Sequence, residues 1–203
     1  QAPARVPGKG KLKAIEDAGL TPKDIDGIIP YGSMAATAED IITSLGIPDV
    51  TFSAVTPMGG ASSVAAVQCA IAAVHAGICK HVLVPLARKG YSESRIGDRV
   101  QQMPQFRTIG EFEMPLGAIA PAQLYAPTAR RHMELYGTTS RHLAEVAVTT
   151  RRHAILNGRA MMMKPLTVED HHASRMIADP FRLFDCSLES DGAAAVVVSA
   201  AEA

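Results

Sequence analysis

The stretch Pro57-Met-Gly-Gly-Ala-Ser-Ser-Val-Ala-Ala-Val-Gln-Cys-Ala-Ile-Ala-Ala-Val-His-Ala-Gly77 restricts the fold more than any other part of the chain. A glycine pair opens it, and about four turns of small and apolar residues follow on nearly every face. A helix of that kind is expected to be buried on all sides. Before it, Val50–Val55 is rich in β-branched residues and reads as a strand; after it, His81–Leu86 reads as a buried strand. Strand, helix and strand in that order predict a right-handed parallel crossover, and with it an α/β fold.

Shorter signals surround this unit. Lys11–Ala18 has helical character and Gly19 is placed to stop it, Thr21–Asp26 reads as a turn, and Gly27–Pro30 reads as a short strand. Ala38–Leu45 predicts a helix closed by Gly46, and Ala193–Ser199 returns to the β-branched core pattern. Between Ala87 and Asp179 the texture changes: eleven of the thirteen arginines lie there, and β-branched runs disappear. Helices are expected at Ala122–Tyr136 and at Ser140–Asn157, the second opened by the capping run Thr138-Thr-Ser140. The expected organisation is an α/β core over 1–86 and 180–203, interrupted by a helical insertion over 87–179.

Composition removes several classes of function. Twenty basic against twenty acidic residues leave no net charge, and nine Phe and Tyr with no Trp offer few stacking platforms, so a nucleic-acid or anionic-membrane binder is not expected. The most apolar stretch, Ala61–Ala76, is broken by Gln68 and His75 and is too short to span a bilayer. The opening run, Gln1 to Lys9, lacks the apolar segment of a secretory signal. Three cysteines without CxxC spacing, Cys69, Cys79 and Cys186, argue against a disulfide framework or structural zinc and for a reducing, cytoplasmic setting.

The candidate chemical motifs each have a plainer reading. Gly59-Gly60 before a helix resembles an anion cradle, but there is no GxGxxG, P-loop lysine or GxSxG; Ser62 and Ser63 are then expected to cap or pack. His171 and His172 adjoin Glu169 and Asp170, yet adjacent helical residues diverge, so a solvated helix end is expected rather than a metal site. His132, His142 and His153, each preceded by Arg, predict a basic exposed face. Met161-Met-Met163 suits either an adaptable acyl pocket or gap filling in a loop. Cys69, inside the apolar helix with no base beside it, is expected to be inert.

Two stretches combine into something more specific. Ser174-Arg-Met-Ile-Ala-Asp-Pro-Phe-Arg-Leu-Phe-Asp-Cys-Ser-Leu-Glu-Ser-Asp-Gly-Ala-Ala-Ala-Val-Val-Val198, with Ala129-Arg-Arg-His-Met-Glu-Leu-Tyr-Gly-Thr-Thr139 upstream, resembles the thiolase superfamily, in its sterol-carrier and lipid-transfer thiolase-like branch. Ala14–Ile28 and Arg152–Asn157 add to the match, although Asn157-Gly158 stands where relatives commonly have Asn-Pro.

The resemblance implies two similar halves carrying one CoA-thioester site, usually in a dimer, with this chain as the first: a layered αβα half with a mixed sheet over 1–86 and 180–203, and the insertion over 87–179 as the loop domain over CoA. The second half, where the family keeps a catalytic His, a second Cys and an oxyanion-hole motif, has no counterpart in the sequence. Thiolases place an acyl-accepting Cys at the start of the buried helix. Here that position falls on Gly60, or on Gly59 in a register shifted by one, between Met58 and Ala61 as candidate substrate contacts. Leu124, Tyr125, Ser187 and Ser190 are the candidate pantetheine contacts that the resemblance implies. The first core strand of the half also has no match, and removal of a central strand is expected to leave backbone groups that another segment must pair.

With no thiol at the helix start, a covalent acyl-enzyme is not expected. The expected function is a carbon-carbon lyase that cleaves a β-hydroxyacyl-CoA by a retro-aldol step, similar to the steroid side-chain retro-aldolases, which work with an OB-fold partner protein. CoA is then substrate, and no other cofactor and no metal are expected. The alternatives are a condensing or acyltransferase subunit that borrows a cysteine from another chain, and a catalytically silent acyl-CoA-binding scaffold.

Overall fold

A computed structural model describes residues 6–30, 36–92 and 107–201. The run Gln1 to Arg5 and part of the expected insertion lie outside the described residues. In chain order the elements are α1 (Val6–Asp17), β1 (Gly27–Ile28), α2 (Ala38–Leu45), β2 (Phe52–Ser53), α3 (Ser62–His75), β3 (His81–Lys89), α4 (Pro121–Tyr136), α5 (Ser140–Asn157), α6 (Val168–Ala173), β4 (Met176–Ala178), β5 (Phe181–Arg182) and β6 (Asp191–Ser199). They divide into two compact units, residues 1–92 with 190–203, and residues 93–189. Both divisions fall later than the texture change suggests, because β3 runs on to Lys89 and its partner β6 begins at Asp191.

In the first unit the sheet order is β2-β1-β3-β6. β1 runs parallel to β2 and to β3, and β6 pairs antiparallel with β3 from His81↔Ser199 to Lys89↔Asp191. β2 and β3 therefore run the same way, as a crossover through α3 requires. β3 alternates its side chains between two cores, as the period of a strand dictates. Val82 and Val84 join Ala66, Ala70 and Ala73 of α3, with Ile29 and Cys79; Leu83 joins Ile15 of α1, Ile28, Ile41 of α2, Ile25 and Ile47. The alanines at i, i+4 and i+7 give α3 a flat face that approaches the sheet closely.

Three expectations change here. α3 is not buried on all sides: Val64 and Ile71 are 72% and 54% exposed, because among the described residues the sheet covers only the alanine face. No gap opens in the middle of the sheet, since β1 is paired on both edges and β3 lies between β1 and β6. The strands around Gly27–Pro30 and Val50–Val55 shrink to two residues each, while β3 and β6 extend each other to nine.

In the second unit α5 packs on α6, α4 packs on β4, and β4 pairs with β5 in a short antiparallel hairpin that the sequence did not announce. Thr167 and Asp170 cap α6 reciprocally: the Asp170 amide donates to the Thr167 hydroxyl at 3.1 Å and the Thr167 amide to the Asp170 carboxylate at 3.0 Å. His171, expected at a solvated helix end, is fully buried. Met161, Met162 and Met163 are on the surface and fill no gap, whereas His132, His142 and His153 are exposed. No described helix is long and apolar enough to cross a membrane.

Candidate active site at the amino end of the crossover helix

After β2 the chain makes a tight turn into α3, and Ser62 closes it from below. Its hydroxyl accepts the Met58 amide at 2.9 Å, and its carbonyl accepts the Thr56 hydroxyl at 2.9 Å. A single 3-10 turn over Gly59–Ala61 follows, in which the Ala61 amide donates to Met58 and the Ser62 amide to Gly59. These bonds engage the amides of Met58, Ala61 and Ser62, so the amino pole is less bare than a glycine pair before a helix suggests. The Gly60 amide lies outside them.

The two glycines are not equivalent. Gly59 has φ +58°, a left-handed conformation that costs an L side chain about 1–2 kcal/mol. Gly60 is exposed, has no positive φ, and a Cβ built on it meets nothing within 4 Å. Of the two registers considered for the missing nucleophile, Gly60 is thus the position at which a side chain fits. It stands at the positive end of a fourteen-residue helix with no acidic residue in its first turn. No carboxylate of the helix's own first turn meets the partial positive charge at this point.

No cysteine substitutes from nearby. Cys69 lies nine residues beyond Gly60, about 13 Å along the helix axis, and is packed against the Ala66–Val82 core. Burial pushes the Cys79 thiol above its ordinary pKa, with Asp26 adding to the effect, and burial followed by Asp185 does the same to Cys186. Both thiols are poorer nucleophiles for it.

Ser190 sits where β6 begins. Its carbonyl accepts the Gly90 amide at 3.2 Å, and the Asp191 carboxylate accepts the amides of Tyr91 at 2.9 Å and Ser92 at 3.0 Å. Hydrogen bonds from Ser92, then from the Tyr91 amide, hold the Asp191 carboxyl below the usual carboxylate range. The Ser-Asp-Gly run therefore clamps the turn that leaves β3. This is a role the sequence hid, because donors and acceptor are a hundred residues apart. Gly90 belongs to the same clamp, since a Cβ there would lie 3.0 Å from the Ser190 carbonyl.

In the second unit Leu124 is half-buried and Tyr125 is exposed on α4. Ser187 is exposed, with its hydroxyl turned to the Leu188 carbonyl at 3.3 Å. A cleft of about 430 Å³ lies beside α4, lined by Gln123, Ala126, Pro127 and Arg130 and by the Ala178-Asp179 end of the hairpin; neither Leu124 nor Tyr125 lines it. Arg130 is ion-paired there with Asp179. Met58 to Ala61 lie together because they are consecutive, as are Leu124 and Tyr125 on α4, while Ser187 belongs to the second unit and Ser190 to the first. Among the described residues no cluster of His, Cys, Asp and Glu could hold a metal ion.

No family model matches the chain. A 17-hydroxy-3-oxo-4-pregnene-20-carboxyl-CoA lyase of Mycobacterium tuberculosis is 37% identical over 202 residues, covering 97% of this chain and 52% of the relative. An acetyl-CoA acetyltransferase of Methanothermobacter thermautotrophicus is 38% identical over 203 residues, covering 94% and 50%. Among solved structures, an Ltp2-ChsH2(DUF35) aldolase superposes with a TM-score of 0.84 at 36% identity, covering 94% of this chain and 49% of the other. The chain thus spans about half the length of the curated relatives it matches. Over nearly its whole length the chain is thus similar in sequence to these relatives, and its fold is thiolase-like: an SCP2-thiolase like protein of Mycobacterium smegmatis superposes with a TM-score of 0.60 at 19% identity, covering 88% of this chain and 37% of the other.

Proposed function

We propose that the protein is a non-covalent carbon-carbon lyase, which cleaves a β-hydroxyacyl-CoA carrying a steroid or lipid side chain by a retro-aldol step. Relatives of nearly equal identity divide between lyase and acetyltransferase, so identity does not choose between them. The observation that carries the choice is Gly60: the open, positive end of α3 presents an amide and no thiol. In a retro-aldol step a base removes the β-hydroxyl proton, the Cα–Cβ bond breaks, and the electron pair moves onto the thioester carbonyl as an enolate. A hydrogen-bond donor aimed at that oxygen lowers the barrier without any covalent bond. In this reading the Gly60 amide is such a donor, and Met58, Gly59 and Ala61 shape its rim. Leu124, Tyr125, Ser187 and Ser190 contact the pantetheine arm, and CoA enters only as part of the substrate. The Ltp2-ChsH2(DUF35) aldolase supports a partner protein for this one too; that the partner is of the OB-fold kind and the assembly a homodimer is proposed from the family resemblance alone.

The test uses the natural full-length protein, together with its partner. Incubated with a β-hydroxyacyl-CoA, it should release an aldehyde or ketone and the shortened thioester. Intact-mass measurement after exposure to acetyl-CoA should show no adduct. An adduct would favour the acyltransferase reading, which the acetyltransferase relative supports, and thioester binding without turnover would favour a silent scaffold.

A further inference from the structure

His171 is an imidazole in an unexpected place. It is fully buried on α6, its Nε2 lies 2.7 Å from Asp185 Oδ1, and its Nδ1 is buried with no hydrogen-bond partner among the described residues. Stability alone does not account for this choice. An apolar side chain of similar volume would fill the space without an orphaned nitrogen, and replacing both partners of a buried pair by apolar groups is often neutral. What the pair provides and packing does not is direction.

Asp185 shows where that direction is used. Its second oxygen, Oδ2, accepts the Arg182 amide at 2.7 Å, so the two oxygens hold the carboxylate in one orientation at the end of the Leu183–Asp185 turn. The turn is tied down again by its neighbours. Arg182 Nη1 donates to the Ser174 carbonyl at 2.8 Å, and the Ser174 hydroxyl donates to the His171 carbonyl at 2.7 Å. From Asp185 the chain leaves in extended conformation at Cys186 and reaches Ser187 one residue later. Two residues span at most about 7 Å, so the Asp185 carboxylate governs where Ser187 emerges.

We propose that His171 is a positioning residue for acyl-CoA binding: through Asp185 it fixes the turn from which Ser187 meets the pantetheine arm of the substrate. The proposal rests on the reading of Ser187 as a substrate contact. It assigns to His171 no contact with substrate and no proton transfer.

Four variants of the full-length protein test it: Ser187→Ala, His171→Phe, the double variant, and His171→Gln, whose side-chain amide keeps an N–H donor near the place of Nε2. KM and kcat are measured with the same β-hydroxyacyl-CoA, and folding is checked by near-ultraviolet circular dichroism. Ser187→Ala and His171→Phe should each raise KM about threefold to tenfold, the range of one net hydrogen bond, with kcat changed less than about twofold. The double variant should be no worse than the worse single variant, and His171→Gln should recover most of the loss. If Ser187→Ala leaves KM unchanged, the reading of Ser187 fails and takes the proposal with it. If Ser187→Ala raises KM while folded His171→Phe does not, or if the two losses multiply, Ser187 stands and His171 does not position it. Should His171→Phe not fold, Asp185→Ala is used. It removes both the His171 and the Arg182 bond, and an unchanged KM in that folded variant overturns the proposal.

Discussion

Adjacent glycines at the start of α3 should respond to substitution with opposite signs. Gly59 sits at φ +58°, where an L side chain costs about 1–2 kcal/mol against its own backbone, so Gly59→Ala should lower stability by that amount. Gly60 has no positive φ and open space around a built Cβ. Alanine there restricts only the unfolded chain and should raise stability by about 0.4–1 kcal/mol. Urea midpoints, read with the slope held common, should therefore move apart by about 1.4–3 kcal/mol, or more than tenfold in the folded-to-unfolded ratio. Gly60→Cys extends the argument to chemistry. A thiol there stands at the positive end of α3, where thiolate is favoured, and exposure to acetyl-CoA should leave an acetyl adduct that the parent protein lacks. If Gly60→Ala destabilises as much as Gly59→Ala, the position is not open. If Gly60→Cys folds but stays unmodified, α3 does not present that residue to a thioester.

Three further outcomes are expected from the packing and hydrogen bonding of the first unit. Gly27→Ala would place a Cβ 2.8 Å from Val82 Cγ2 and 3.2 Å from Cys79 Sγ, an overpacking that should cost about 1–3 kcal/mol by chemical denaturation. Leu83→Ala, at a fully buried position of the central strand, should cost about 2–5 kcal/mol. Asp191 has a folded pKa below its unfolded value, so its contribution is present above the ordinary carboxylate range, near pH 4, and is lost as pH falls through the folded pKa. Denaturation of the parent and of Asp191→Asn should therefore converge at low pH, and a gap that stays constant from pH 7 to pH 3 would refute the assignment.

The Ala-rich helix and its glycine start were legible in the sequence, because they rest on neighbours within a few turns; the capping pairs Thr37–Asp40 and Thr167–Asp170 are equally local, yet they were not singled out from the sequence. The alternation of β3 between two cores is written in its residues for the same local reason. The sequence points to the proposed site only through what is missing, since Gly60 stands where the resemblance expects a nucleophile. Distance along the chain hid the rest. Which of two adjacent glycines is open depends on a turn closed by Ser62. Whether α3 is covered all round depends on how many layers pack on it. Asp191 became a clamp, and His171 a buried partner of Asp185, only when segments remote in sequence met. Periodicity and propensity describe a residue's neighbours in the chain, whereas strand pairing and burial choose its neighbours in space. That second choice decided which groups of the turn before α3 and of the Ser190-Asp191 clamp are held.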